Sequence, residues 1–298
     1  MPLRIAFIGC VTSSRIVLET LLSLPSYLCE VVCIMTMRSS RLNSDHADLS
    51  DLAAPSIPLL YVEDVDGDMA QADWLKKSTP DLIFCVGWSK LLGDQVLRVA
   101  PQGVIGFHPA SLPANRGRHP LVWALTLGLS ETASSFFLMD SGADSGPILC
   151  QLPITIGYDD NASSLYAKVL ALLPRQVETI LLRLKDGSLV PQPQDASRAN
   201  YWRKRSLADG RIDWRMEPYA VRNLVRALAH PYPGAHFIHQ GREVKVWVCS
   251  ESIAGTANDE PGKVLAVKDR SITVRCGQGA VRLIEHELSA LPMVGDYL

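Results

Sequence analysis

Short apolar runs alternate with amphipathic stretches along the first two thirds of the chain. The runs with few polar side chains, typical of strands buried on both faces of a parallel sheet, are 3–9, 29–37, 57–62, 81–87 and 103–107. Apolar positions recur at helical spacing over 15–24, 120–127 and 163–184, and in a stretch that ends at Lys77. This alternation predicts an α/β fold built on a Rossmann-like parallel sheet.

The pattern changes after the proline- and glutamine-rich segment 191–195. One helix is predicted over 218–228, and short strands separated by glycines and charged turns follow at 237–240, 243–248, 263–267, 271–275 and 280–284. Such spacing is typical of a small antiparallel barrel, although periodicity alone indicates only a small β domain. We therefore predict a first domain over 1–190, a linker over 191–204 and a carboxyl-terminal domain over 205–298.

Composition narrows the class of protein. The chain has 298 residues, of which 47% are hydrophobic and 20% charged, and its formal net charge is −2. These values suit a globular protein and provide no overall basic field for a nucleic-acid backbone. No apolar run reaches the roughly 18 residues that a membrane-spanning helix needs. The seven cysteines are scattered without a CxxC spacing, so we expect reduced thiols in a cytoplasmic protein and no metal site.

Two polar segments carry the candidate chemistry. His108 directly follows the apolar run 103–107, and parallel sheets expose their chemistry where strands end. Asp140 and Asp144 lie in a second segment, 140–146, which reads DSGADSG. An imidazole and a carboxylate on neighbouring loops can form a proton-handling pair. Taken singly, each has a plainer explanation, because a lone histidine is commonly structural and a segment rich in Asp and Gly is commonly a turn.

Two separate matches resemble the folate-dependent formyltransferases. Residues 108–120 read HPASLPANRGRHP and residues 139–149 read MDSGADSGPIL, similar to the family core of Asn-x-His, Ser-Leu-Leu-Pro, Arg-Gly and Asp-x-Gly-x-Asp-x-Gly. Residues 201–214, YWRKRSLADGRIDW, with NLVRA at 223–227 and PYPGA at 231–235, resemble the start of the carboxyl-terminal domain of the methionyl-tRNA and aminoarabinose-type members. The resemblance implies a Rossmann-like formyltransferase domain followed by a small OB-like β-barrel domain.

The resemblance also implies a catalytic trio of Asn, His and Asp. His108 and Asp144 match the last two members, but Gly106 stands where the family has its Asn. Glycine offers no side-chain amide to a developing oxyanion, and losing one such donor typically costs on the order of 3 kcal/mol. A water, the backbone near Gly106 or Asn115 are the candidates to replace it. On this basis Gly106→Asn is expected to be tolerated or to raise the rate.

The formyl donor implied by the resemblance is 10-formyltetrahydrofolate. The implied donor-site residues are Gly87, Trp88, Leu91, Ser111, Asp140 and Asp144. Trp88 and Leu91 would supply apolar walls for the pterin. Three of these residues have another interpretation. Trp88 can be an aromatic residue of the core, Asp140 can form a turn, and Ser111 can shape its loop.

The acceptor-site residues that we predict are Asn115, Arg116, His119, Arg203 and Arg205. Arg116 either holds an anionic group or braces its loop by hydrogen bonds, and we favour bracing. The basic run 203–205 is either a solvated face or a clamp for a nucleotide diphosphate.

Three functions remain open at this point. The sequence of residues 108–120 favours an N-formyltransferase that acts on the amine of a nucleotide-linked amino sugar. A methionyl-tRNA formyltransferase is the alternative, but that enzyme carries a basic insertion after its second strand, and the matching stretch 38–50 mixes two arginines with two aspartates. A catalytically impaired relative that binds folate or a sugar nucleotide is the third, supported by Gly106. We expect no membrane partner, and the strands of the small domain are candidates for a homodimer interface.

Overall fold

The structure is a computed structural model that describes residues 1–40, 44–65, 67–88 and 90–298. Residues 41–43 of the stretch 38–50 therefore lie outside the described residues. The chain divides into two compact units, the first comprising Met1–Gly117, Ala133–Ile154 and Lys168–Tyr201, and the second Arg118–Thr132, Thr155–Ala167 and Trp202–Leu298. Each unit draws on three stretches of chain, and the linear limits 1–190 and 205–298 stay predictions.

The strands, in chain order, are β1 (Leu3–Ile8), β2 (Cys29–Thr36), β3 (Leu59–Tyr61), β4 (Leu82–Cys85), β5 (Val104–His108), β6 (Arg116–Gly117), β7 (Glu131–Leu138), β8 (Ile148–Thr155), β9 (Tyr201–Trp202), β10 (Ala235–His239), β11 (Arg242–Ser252), β12 (Val264–Lys268), β13 (Ser271–Arg275) and β14 (Ala280–His286). The α-helices are α1 (Thr12–Ser23), α2 (Gly67–Lys77), α3 (Asp94–Leu97), α4 (Pro120–Thr126), α5 (Ala162–Lys185) and α6 (Pro218–Ala227). The helices and strands predicted in the sequence analysis are present, with ends that differ by a few residues.

A seven-stranded sheet forms the framework of the first unit. Its strand order is β3-β2-β1-β4-β5-β7-β8, and β1 to β5 pair in parallel, as the apolar runs predict. The strand β7 pairs with β5 in the antiparallel sense. The strands on the two sides of β1 are β2 and β4, so the chain reverses its direction of travel through the sheet at this point. In such sheets ligands bind beyond the carboxyl ends of the strands near the reversal.

Side chains along the central strands alternate between two buried clusters. Ile5 and Phe7 of β1 belong to the cluster that also contains residues of α1 and α5. Ala6 and Ile8 belong to the other cluster, which contains residues of α2. Because helices cover both faces, these strands bury nearly every side chain, and this explains why their sequences read as continuous apolar runs.

An antiparallel sheet of five strands is the framework of the second unit. Its order is β10-β11-β14-β13-β12. All pairs in it are antiparallel, which confirms the small β domain expected from the sequence. Among the described residues, no helix has both the length and the hydrophobicity that crossing a bilayer requires. All seven cysteines are free, and burial raises the pKa of Cys29 and Cys33 to about 11.

One buried histidine in this second unit makes stability depend on pH. His236 on β10 is 4% exposed, its Nδ1 has no hydrogen-bond partner among the described residues, and burial lowers its pKa. The charge of Glu243 opposes burial and raises this pKa, whereas the charges of Lys245 and Arg211 lower it further. Below a pH of about 6.5 the unfolded chain therefore binds a proton that the folded chain excludes, and stability falls as the pH falls.

We expect His236→Gln to lose part of this pH dependence. Between about pH 7.5 and pH 5 the urea midpoint should fall by more in the wild-type protein than in the variant. Over this range the loss of unfolding free energy should differ between the two proteins by on the order of 1 kcal/mol or less. The matched control is His239→Gln, on the same strand. Parallel pH profiles for wild type and His236→Gln would show that this imidazole is not the titrating group.

Candidate active site

His108 and Asp144 meet in the first unit, although a long stretch of chain separates them. His108 is the last residue of β5 and pairs in register with Ser135 of β7. Asp144 lies in the loop between β7 and β8. The distance from His108 Nδ1 to Asp144 Oδ2 is 3.6 Å, with side-chain exposures of 6% and 21%. The sequence prediction that these two groups lie together is therefore consistent with the geometry.

Hydrogen bonding decides which nitrogen of His108 can accept a proton. His108 Nε2 lies 2.8 Å from the carbonyl oxygen of Asn115. A carbonyl oxygen only accepts hydrogen bonds, so Nε2 must carry the hydrogen and donate it. In the neutral imidazole Nδ1 is then the unprotonated nitrogen, and it is the one that faces Asp144. The pair is arranged so that a proton taken up at Nδ1 is stabilised by the carboxylate.

The loop that carries Asp144 is held by several specific contacts. The N–H of Gly117 donates to Asp144 Oδ2 at 2.9 Å. The side-chain amide of Gln194 donates to the carbonyl oxygens of Asp144 and Gly146, at 2.9 and 2.6 Å. A Cβ at Gly146 would lie 1.7 Å from the carbonyl oxygen of Leu138, so only glycine fits there. The carboxylate is thus positioned by the fold rather than by a flexible turn.

The space beside Gly106 is already filled. A Cβ at this position would lie 2.8 Å from Met139 Cγ and 2.9 Å from the ζ carbon of Phe137. Phe137 pairs in register with Gly106 across β5 and β7 and is 2% exposed. The structure argues against the expectation that Gly106→Asn is tolerated, since side chains of the neighbouring strand and loop would have to move. These side chains replace the missing side chain by packing and supply no polar donor.

The predicted donor-site residues differ in their exposure and in their contacts. Leu91 is 87% exposed, whereas Trp88 is partly buried and packs against the cluster on the α2 side of the sheet. Gly87 has a φ of 62°, and a Cβ there would lie 2.1 Å from Val11 Cγ2, so packing alone requires glycine. Asp140 accepts hydrogen bonds from the N–H of Gly142 and the hydroxyl of Ser145, as a turn-former does. Their assignment to the donor site stays a prediction.

Ser111 lies in the loop after β5, where it is partly buried. The neighbouring Ser135 hydroxyl donates to the carbonyl oxygen of Ala110, and the N–H of Leu112 donates to the same oxygen. These bonds fix the loop around Ser111 but give its hydroxyl no assigned partner. Its role at the donor site stays a prediction as well.

Arg116 braces the site, as the sequence favoured. Its guanidinium is buried and donates to Gln194 Oε1 through Nε and Nη2, and to the hydroxyl of Tyr201 through Nη1. Asn115 contributes its carbonyl to His108, and its N–H donates to Asn200 Oδ1 at 2.8 Å. Sequence reasoning missed Gln194, Asn200 and Tyr201. Gln194 lies in the segment rich in proline and glutamine, which gives no pattern that distinguishes a bracing residue from a linker.

The remaining predicted acceptor residues, His119, Arg203 and Arg205, lie in the second unit. His119 has a φ of 58° and precedes α4, and burial followed by the charge of Arg118 lowers its pKa. Arg203 forms a two-pronged ion pair with Asp209, which holds the pKa of that carboxyl well below its usual range.

Arg205 is 9% exposed, donates to the carbonyl oxygen of Asp209, and lies 4.8 Å from the ring centroid of Trp123. Arg203 lies over the same ring at 5.3 Å. Both guanidiniums therefore have partners inside the protein, and a role as a phosphate clamp stays a prediction.

Comparisons with known proteins find family models that match both parts of the chain. A family model described as formyl transferase matches residues 28–178, and one described as formyl transferase, C-terminal domain, matches residues 205–294. A methionyl-tRNA formyltransferase of Caldanaerobacter subterraneus is 34% identical over 229 residues, which cover 77% of this chain and 73% of that protein.

Two solved structures share the fold at low identity. An N-formyltransferase from Helicobacter canadensis, in complex with folinic acid and dTDP-3-aminofucose, superposes with a TM-score of 0.71 at 14% identity over 94% of this chain and 98% of that chain. HypX from Aquifex aeolicus, in complex with tetrahydrofolic acid, superposes with a TM-score of 0.64 at 20% identity over 95% of this chain and 44% of that chain. With both family models matched in order and a relative above 30% identity, this chain belongs to the formyl transferase family of enzymes, which transfer a one-carbon formyl group.

Proposed function

We propose that this protein transfers the formyl group of 10-formyltetrahydrofolate to the amine of a nucleotide-linked amino sugar. The observation that carries the proposal is the pairing of His108 Nδ1 with the Asp144 carboxylate at the carboxyl end of β5. We further infer that the reaction takes place in the cytoplasm, where seven free thiols stay reduced.

The pair suits the proton movements of formyl transfer. An amine that attacks a formyl carbon must lose a proton, and the donor nitrogen must gain one as it leaves. His108 Nδ1 takes the proton from the amine, and the carboxylate of Asp144 stabilises the imidazolium that forms. The same Nδ1–H then protonates the leaving nitrogen. Throughout, the hydrogen bond from Nε2 to Asn115 holds the ring in one orientation.

The residues beyond β4 fit a folate donor. Trp88 and Leu91 follow the carboxyl end of β4, and β4 lies beside β5, so they share an edge of the sheet with His108. The exposed side chain of Leu91 offers an apolar surface of the kind that a flat heterocycle needs. The Helicobacter enzyme and HypX were both solved with folates bound, which supports a folate as the donor.

The acceptor assignment rests on the sequence of residues 115–120 and on the overall charge. The sequence Asn-Arg-Gly-Arg-His-Pro at residues 115–120 favours a sugar amine as the acceptor. The Helicobacter structure holds a nucleotide-linked amino sugar. The net charge of −2 gives no general attraction for a tRNA backbone. Methionyl-tRNA is nevertheless the second candidate acceptor, because the 34% identical relative is a methionyl-tRNA formyltransferase.

A turnover assay with two classes of acceptor tests the proposal. Purified protein and 10-formyltetrahydrofolate are incubated with amino sugars linked to UDP, GDP, CMP or dTDP, and separately with charged initiator tRNA. We expect formylated sugar nucleotide by mass spectrometry. Formylation of the tRNA alone would identify methionyl-tRNA as the acceptor. Folate binding without turnover of any amine would favour the third hypothesis, a catalytically impaired relative, which Gly106 supports.

A further inference from the structure

A cavity of about 510 Å³ lies on the first unit, separate from the His108–Asp144 pair. Residues of strand β8, the edge of the seven-stranded sheet, and residues of helix α5 line it. Neither His108 nor Asp144 is among the lining residues. Its volume is in the range of sites that hold small organic ligands.

Two arginines face this cavity. Arg175 and Arg183 of α5 both line it and are exposed, and within the described ranges neither guanidinium has a hydrogen-bond or ion-pair partner. Thr179 lies between them on the same helix face, because residues four apart are neighbours on a helix. Eight residues of α-helix separate the two arginines by about 12 Å along the axis. The described lining contains no carboxylate that could neutralise them.

Most of the remaining lining is apolar or already hydrogen-bonded. Leu112 and Leu149 are buried, and Ile148 and Leu152 extend the apolar surface. The side-chain amide of Gln151 donates to the carbonyl oxygen of Leu112 at 3.1 Å.

The side-chain amide of Gln176, which is buried, donates to the carbonyl oxygen of Ser134, and its oxygen accepts from the Ser134 hydroxyl. The cavity therefore combines an apolar floor with two arginines at its rim, and no carboxylate of the lining pairs with them. Outside the cavity, the charge of Arg183 also interacts with the carboxylate of Asp186. A ligand that matches it has an apolar body and an anionic end.

We propose that this cavity binds a small organic anion, a carboxylate or a phosphate monoester carried on an apolar group. Arg175 and Arg183 hold the anionic end, and the leucine and isoleucine side chains of β8, with Leu112 of the loop after β5, cover the apolar body. The site lies against the loop that begins at His108, because Leu112 belongs to that loop and is held by Gln151. The inference does not depend on the formyl-transfer proposal, since it concerns residues that the proposed reaction does not use.

Calorimetric titration of the full chain tests the charge requirement. The probes are octanoate, octyl phosphate, 1-octanol and inorganic phosphate. Octanoate or octyl phosphate should bind more tightly than both octanol and inorganic phosphate, and the tighter of the two anions identifies the preferred end group. In the double variant Arg175→Gln/Arg183→Gln the affinity of that anion should fall by about tenfold or more, because charge-assisted hydrogen bonds are lost. Glutamine keeps the helix propensity.

Two controls keep the result specific. Arg198→Gln removes an exposed arginine outside the cavity and should leave the affinity unchanged. Cys150 lines the cavity and is partly exposed, and Cys249 is partly exposed but lies outside it. A bound anion should therefore slow alkylation of Cys150 and leave Cys249 unaffected. Equal binding of octanol, unchanged binding in the double variant or unchanged alkylation of Cys150 would each overturn the proposal.

Discussion

His108→Ala is expected to lower kcat for formyl transfer by about 10³-fold, with little change in the affinity for folate. General acid–base catalysis by a positioned side chain is typically worth about 10² to 10⁴ in rate. The geometry gives His108 no substitute, because Nδ1 is the nitrogen that faces Asp144 and Nε2 is occupied by the carbonyl of Asn115. Single-turnover kinetics and folate titration of the same preparation separate the two effects.

A second substitution distinguishes proton transfer from loop positioning. In His108→Gln the amide can still donate to the carbonyl of Asn115, but it cannot accept a proton at neutral pH. We expect this variant to keep the thermal stability of the wild type more closely than His108→Ala while losing a comparable share of kcat. His239→Ala, which removes a histidine of the second unit, is the control. Retention of a tenth or more of wild-type kcat by both His108 variants would exclude the imidazole as the proton carrier.

The sequence predicted the sheet well because its strands carry a strong local signal. β1, β2, β4 and β5 are buried on both faces, so continuous apolar runs mark them whatever their neighbours are. The antiparallel pairing of β7 with β5 left no such mark, because strand direction depends on how the connecting segments cross the sheet. For the same reason the two units, each assembled from three stretches of chain, could not be located from one composition change near residue 190.

The site was predicted in part. Motif spacing predicted that His108 and Asp144 form a pair, and their side chains lie 3.6 Å apart in the structure. The residues that orient them were missed or assigned otherwise, since a backbone carbonyl at Asn115 or an amide at Gln194 can be supplied by almost any sequence that folds correctly. Arg203 and Arg205 show the converse, because a basic run suggested a phosphate clamp, whereas Asp209 and Trp123 engage both guanidiniums in the structure.

Gly106→Asn is expected to destabilise the protein rather than to restore a family-like site. Its Cβ would come within 3 Å of Met139 and Phe137, at 2.8 and 2.9 Å, and Phe137 is too buried to move freely. Overpacking of this kind typically costs about 1–3 kcal/mol. In a chain of this size the melting temperature should fall by about 2–4 °C for each kcal/mol. The rate of formyl transfer should not rise in this single variant, because the amide cannot take its place without displacing those side chains.

Shortening Met139 should relieve the clash with the side chain added at Gly106. Met139→Ala removes the Cγ that lies nearest to the added Cβ, so Gly106→Asn should cost less in the Met139→Ala background than in the wild type, with a coupling of about 0.5–3 kcal/mol. Gly187→Asn is the control, because a Cβ at Gly187 meets nothing within 4 Å and Asn tolerates its φ of 74°. Additive effects of the two substitutions would show that Met139 does not occupy the space of the missing side chain. A double variant that also gains rate would show that the amide donor, once given room, still contributes to the reaction.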